Sequence, residues 1–219
     1  MKHTTSLKQN RAFTLVELLA VITILGILMT VMATQVPGAL KTARMNASAQ
    51  NLRSIVVAYT SVFEKPITEG GDPEKGQAND IAGVAEVLAR YAELNKGDVW
   101  FIGSDTLSGE VPEKVLLQGA NQVRGVKPQA WDAVINPSRK NFRDSSYPLM
   151  WTRGLSLEGK WDPSTSPWGE RGGHIAFGDG HVDLRLNLKL KPLSKLEDGT
   201  DTASYQDAIG TNARVVKGD

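Results

Sequence analysis

The sequence predicts an α+β protein in which one long N-terminal helix, half apolar and half amphipathic, packs on a small antiparallel sheet. Three observations predict it. Residues 13–36 are apolar or small almost throughout and contain a single charged residue, Glu17. Residues 37–64 continue with good helix formers and an apolar stripe at three- and four-residue steps. Further on, GGHIAFGDGHVDLRLNLKL alternates with a period of two about an Asp-Gly turn, which is the pattern of a β-hairpin. The chain is accordingly divided into a basic leader at 1–12, an apolar helix at 13–36, an amphipathic helix at 37–64 and a globular head at 65–219.

Composition narrows the function. The 219 residues are 22% charged and 41% hydrophobic, enough for one domain with a core of its own. A net charge of +1 provides no electrostatic case for a nucleic-acid partner. There is no cysteine, so disulfides, thiolate metal sites and cysteine nucleophiles are excluded.

The leader carries Lys2, Lys8 and Arg11 and no acid. At ~1.5 Å per residue, the helix over 13–36 reaches about 36 Å, enough to cross a ~30 Å hydrocarbon core. A cleaved export signal would explain the basic start, the apolar centre and the small residues of Val31-Met32-Ala33, with maturation at Thr34. A plain membrane anchor would explain the length. Neither explains Glu17, since a carboxylate in a membrane-length segment costs several kcal/mol without compensation.

The stretch AFTLVELLAVITILGIL, behind its basic leader, resembles the N-terminus of type IV pilins and type II secretion pseudopilins. The resemblance implies cleavage between Ala12 and Phe13 by a prepilin peptidase on the cytoplasmic side. It implies N-methylation of Phe13 and a filament-assembly role for Glu17, the fifth mature residue, which would pair with the terminal amine of a neighbouring subunit. Buried apart, the two charges are each costly; paired, much less so. Ala12 stands where these families usually carry Gly, which implies slower processing. Pro37 lies three residues beyond the family's usual proline position, which is Thr34 here.

Further along the helix, Leu52, Ile55, Val56, Tyr59, Val62 and Phe63 form the apolar stripe, expected to back the sheet, while Lys41, Arg44 and Arg53 are mostly off it. Pro37 removes a helical hydrogen bond and clashes with the preceding turn, at about 3 kcal/mol or more. With Gly38 it predicts a kink or local melt.

In the head, EKPITEGGDPEKGQAND reads as a loop. A second helix follows, capped by Asn79 or Asp80, with a stripe of Ile81, Val84, Leu88, Tyr91 and Leu94 and with Gly97 at its C-cap. DVWFIG and YPLMWT read as short strands, and the turn-rich stretch between them has no clear pattern. Trp161 and Trp168, set among prolines, read as packing residues, with a contact surface as the alternative.

In the hairpin, a two-residue Asp179-Gly180 turn places Phe177 opposite Val182, Ala176 opposite Asp183 and Ile175 opposite Leu184. Ile175, Phe177, Val182, Leu184, Leu186, Leu188 and Leu190 then share an apolar face set against the long helix. His174, His181, Asp183, Arg185, Asn187 and Lys189 share the polar face. The segment, with His174, Phe177, Asp179, Gly180, His181 and Val182, resembles a C-terminal element of bacterial prepilin-type proteins, to which it attaches no activity. His174 and His181 fall roughly 10 Å apart at ~3.3 Å per residue, too far to share one ion. No catalytic residue is therefore assigned. The loop KLEDGTDTASYQD offers Glu197, Asp198, Asp201 and Asp207. Oxygen donors on a flexible loop suit calcium, and major pseudopilins hold calcium in a C-terminal loop. The competing reading is a solvated acidic loop.

The resemblance implies a structural subunit, not an enzyme. Its expected place is the inner membrane, crossed once, with a periplasmic head. Its expected partners are identical or related pilin-like subunits, the prepilin peptidase, an inner-membrane assembly platform and the lipid bilayer. A pseudopilin of a type II secretion-like filament is the first reading, and a type IV pilus subunit for adhesion, motility or DNA uptake the second. From another class, an exported enzyme or binding protein with a cleaved signal is the rival.

Overall fold

Helix α1 runs from Leu15 to Phe63 without interruption. A computed structural model of the chain describes residues 13–63, 78–103, 105, 107, 110–116, 130–135, 137 and 139–218. Two compact units divide it, Met1–Ala43 and Arg44–Asp219, and α1 contributes to both.

In the first unit every large apolar side chain described between Phe13 and Leu40 is exposed. Among the described residues, α1 is the one helix long and apolar enough to cross a membrane. Pro37 lies inside the helix, and the local melt expected at Pro37-Gly38 is not found. One missing backbone bond is a local cost, and the good helix formers that follow, Ala39, Leu40 and Lys41, carry the helix on.

In the second unit, α1 buries Ser48, Leu52, Ile55, Val56, Tyr59 and Val62, the stripe its spacing predicts extended by one turn. Phe63 is half-buried and stacks on Tyr59 at 4.4 Å between ring centroids. Five antiparallel strands form the sheet in the order β4-β3-β2-β1-β7, with β1 at Trp131–Ile135, β2 at Pro148–Thr152, β3 at Gly173–Phe177, β4 at Val182–Arg185 and β7 at Arg214–Val216. Tyr59 fastens α1 to this sheet by donating its hydroxyl to the Val134 carbonyl at 2.7 Å. A second, two-stranded sheet pairs β5 (Leu193–Ser194) with β6 (Asp201–Thr202), and the short helix α3 (Tyr205–Ile209) follows.

Helix α2 spans Ile81–Tyr91, with Asp80 as N-cap accepting from the Gly83 amide at 2.6 Å. It ends at Ala92, short of the expected Gly97 cap. Glu93 takes the left-handed conformation at φ 57° and turns the chain out of the helix. Gly97 is instead a close-approach residue: a Cβ there would lie 1.9 Å from the Pro112 carbonyl oxygen. DVWFIG is no strand. Asp98–Trp100 form a 3-10 turn, with Trp100 N–H to Gly97 O and Phe101 N–H to Asp98 O. A short apolar run is buried in either conformation, so its pattern does not choose between them. YPLMWT does form a strand, β2, and β1 comes from the stretch the pattern left unassigned.

The β3–β4 hairpin exists, one residue out of the expected register. Ala176 pairs with Val182, Ile175 with Asp183, His174 with Leu184 and Gly173 with Arg185. The turn uses three residues, Gly178-Asp179-Gly180, closed by Gly180 N–H to Phe177 O at 2.9 Å, and Gly180 sits at φ 86°. A left-handed glycine after such a turn accommodates the extra residue. A slip of one residue changes which side chains share a face. His174, with its neighbour Leu184, faces α1 through Ser48. Ile175 pairs with Trp151, whose ring packs at 5.0 Å on Tyr205 of α3, so Ile175 faces away from α1. All five residues of β1, β2 and β3 are buried, because the sheet is covered on both faces. β4 is one of the two edge strands and ends at Arg185, leaving Leu184, Leu186 and Leu190 exposed where burial was expected. Leu188 is buried as expected, and so are Trp161 and Trp168.

Candidate functional site

The first described residues form a helix N-terminus. Thr14 precedes α1, and its hydroxyl accepts from the Glu17 amide at 3.2 Å. Glu17 Oε2 reaches back to accept from the Thr14 amide and the Thr14 hydroxyl, both at 2.9 Å. This reciprocal arrangement is a capping box, and T-x-x-E is its sequence signature. Glu17 therefore has partners within its own chain, and Phe13 is exposed at the head of the helix. Ala12 lies outside the described residues.

The hairpin residues separate into two environments. His174 is buried between α1 and the sheet, its Nδ1 3.3 Å from Ser48 Oγ. Burial drives its pKa down to about 4, with the Asp183 carboxylate opposing. His181 is exposed, stacks on Phe177 at 4.3 Å and 6°, and places Nδ1 2.6 Å from Asp179 Oδ1. Asp179 also accepts from the His181 amide at 3.0 Å, and these donors outweigh the burial that would raise its pKa, so it falls below the ordinary value. The shared polar face expected for His174 and His181 is not formed: His174 pairs with Leu184, on the face opposite Asp183. Gly178 explains the closeness of the turn to the segment before β2, since a Cβ there would meet the Asn141 carbonyl oxygen at 2.3 Å. Asp183 binds Lys191 and Arg185, and the Arg185 guanidinium lies 5.2 Å from the Phe177 ring centroid.

The acidic stretch is the β5–β6 hairpin and the start of α3, not an open loop. Asp198 accepts from the Thr200 hydroxyl at 2.7 Å and amide at 2.9 Å, which hold its pKa low. Asp207 accepts from Thr202 Oγ1 at 3.0 Å. Glu197 lines a groove of about 760 Å³ with Lys140, Lys195, Asp207 and Asn212. Among the described residues no three His, Asp or Glu side chains gather as a metal set, so Glu197, Asp198 and Asp201 do not converge.

A buried charged cluster was not anticipated. Asp132 on β1 is fully buried and accepts from the Gly218 amide at 3.0 Å and from Lys217 Nζ at 3.2 Å. Burial raises its pKa against the pull of Lys217. Arg153 is buried too, paired with Asp105 at 2.8 and 2.9 Å, and it donates to the carbonyls of Thr165 and Gly218 at 3.0 and 3.1 Å. No local motif links positions 105, 132, 153 and 218; the tertiary fold brings them together.

No curated protein and no solved structure matches the chain. Residues 7–33, which hold the Ala12-Phe13 junction, the Thr14–Glu17 capping box and the apolar half of α1, match the prokaryotic N-terminal methylation motif, and the chain thus carries the prepilin-type cleavage and methylation signal of pilin-like proteins.

Proposed function

We propose that the chain is a filament subunit, a pseudopilin of a type II secretion-like system, inserted once in the inner membrane with its head in the periplasm. The observation that carries the reading is the methylation motif at 7–33, with Glu17 fifth after the expected cut, on a helix whose large apolar side chains are exposed as far as Leu40. Exposed over this length, such a surface needs lipid before assembly and neighbouring helices after it. The prepilin peptidase removes residues 1–12, and an assembly platform adds the subunit to the filament. In docking, Glu17 exchanges its Thr14 partners for the amine of a neighbour's Phe13, which offsets the cost of burying either charge alone. The role is structural, with no chemistry assigned to the head. The preference for secretion over a pilus rests on the absence of cysteine, since many type IV pilins close the head with a disulfide and this chain does not.

N-terminal mass analysis of the membrane form tests the class. A methylated Phe13 start is expected, and a Thr34 start overturns the proposal in favour of an exported protein. Expression beside a secretion apparatus and beside a retractile pilus apparatus separates the two filament systems. Secretion restored by the first is expected; surface pili restored only by the second gives the pilus reading.

A further inference from the structure

The Asp132–Arg153 cluster reads main chain. Gly218 gives its N–H to Asp132 and its C=O to Arg153, so two buried charges grip both polar groups of one residue. Next to it, the Lys217 ammonium bonds Asp132 and the Leu155 carbonyl and lies 5.1 Å from the Tyr205 ring centroid. Before it, β7 pairs with β1 through Ala133–Val216, Val134–Val215 and Ile135–Arg214, and Val216 is buried. Main-chain pairing at a sheet edge, with alternate side chains seated in pockets, is how strand addition recognises a peptide, and the β1–β7 pairing with buried Val216 has both parts. Segment 214–218 thus occupies its site as a ligand would.

We propose that this site is a strand acceptor that takes segment 214–218 from a second copy of the chain as well as from its own. The occupant follows from the site, because the sequence seated in it, Arg-Val-Val-Lys-Gly, is the chain's own. The geometry allows exchange. β7 is an outermost strand, tied to α3 by the short link 210–213, where Gly210 sits at φ 78° and Thr211 and Asn212 are exposed. Straightening that link carries the strand from one head to another without altering any contact inside the site, which is the economy of domain swapping. This partner rests on the filament reading, in which copies of the chain assemble side by side and exchange gains from proximity.

The absence of cysteine makes the test free of background. Full-length Ala133→Cys and Val216→Cys chains, differently tagged, are expressed together in the membrane, then oxidised or treated with a short bis-maleimide. The double variant on one chain calibrates the pair, which faces across β1 and β7. The proposal expects a heterodimer carrying both tags, lost when Asp132→Asn or Arg153→Gln is added to the Ala133→Cys chain. Crosslinking only when both cysteines share a chain overturns it, as does a heterodimer that persists in both site variants. The outcome is separable from the filament reading. Methylated filaments without heterodimers remove strand exchange alone, whereas heterodimers between unmethylated, unassembled chains remove the filament alone.

Discussion

Glu17 closes a helix cap as well as carrying a charge, so replacing it by Ala changes both. The two separate in Glu17→Gln, because a glutamine at this position of a capping box still accepts from the Thr14 amide. Glu17→Gln is expected to insert, mature and keep its helix N-terminus while losing filament assembly, since the amide offers no charge to a neighbour's amine. Glu17→Ala is expected to fray the first turn in addition. Harvested filaments and amide exchange at Thr14 and Leu15 report the two effects, and normal assembly of Glu17→Gln would remove the charge-pairing role. His174 supports a second prediction. Its folded pKa of about 4 lies below the unfolded value near 6.5, so between these the unfolded chain binds more protons. Its contribution is complete above pH 6.5 and is lost as pH falls from 6.5 towards 4, amounting to about 2–3 kcal/mol. Denaturant titrations of the full chain in detergent should show this slope, and His174→Gln should flatten it.

Individual elements hold by local chemistry. Asp80→Ala leaves the Gly83 amide without its acceptor and should lower the unfolding free energy by about 1 kcal/mol, measured from the denaturation midpoint. The β5–β6 hairpin is closed by its own side chains, with Asp198 accepting from Thr200 and Asp207 from Thr202. A chelator is therefore expected to leave the melting curve unchanged, and a fall in Tm would restore calcium to this region. These two elements differ in legibility. The α2 cap is written in four consecutive residues. In β3–β4 the Asp-Gly pair predicted a hairpin correctly and its register wrongly, because Gly180 was counted inside a two-residue turn when it is the left-handed residue that closes a longer one.

Across the whole head, stability depends on charges that burial makes obligatory. Asp105 and Arg153 form an ion pair in which one guanidinium nitrogen, Nη2, donates to both carboxylate oxygens, with both side chains nearly inaccessible. Asp105→Asn takes away the charge that faces the buried Arg153 guanidinium and should cost about 3–5 kcal/mol in chemical denaturation. Arg153 also holds the Gly218 carbonyl, so the loss should extend to β7, seen as faster amide exchange at Val215 and Val216. A variant as stable as the parent would show that the pair contributes no net stability.

Covalent neighbours were enough for some of this architecture. The length and apolarity of the first helix, the acid set within it, the amphipathic stripe from Leu52 to Val62 and the existence of α2 and the β3–β4 hairpin are periodic or short-range patterns, which a linear chain displays directly. So is the methylation motif, whose chemistry needs residues in sequence, not a fold. Tertiary structure decided the rest. α1 covers one face of the sheet and α3 packs against the other, so β1 is buried along its whole length, shows no alternation and went unrecognised. His174 became a core residue because one extra residue in a turn sent it towards Ser48. Asp132 and Arg153 share Gly218 only because β7 returns to pair with β1, and a contact made across 86 positions has no local signature in the chain.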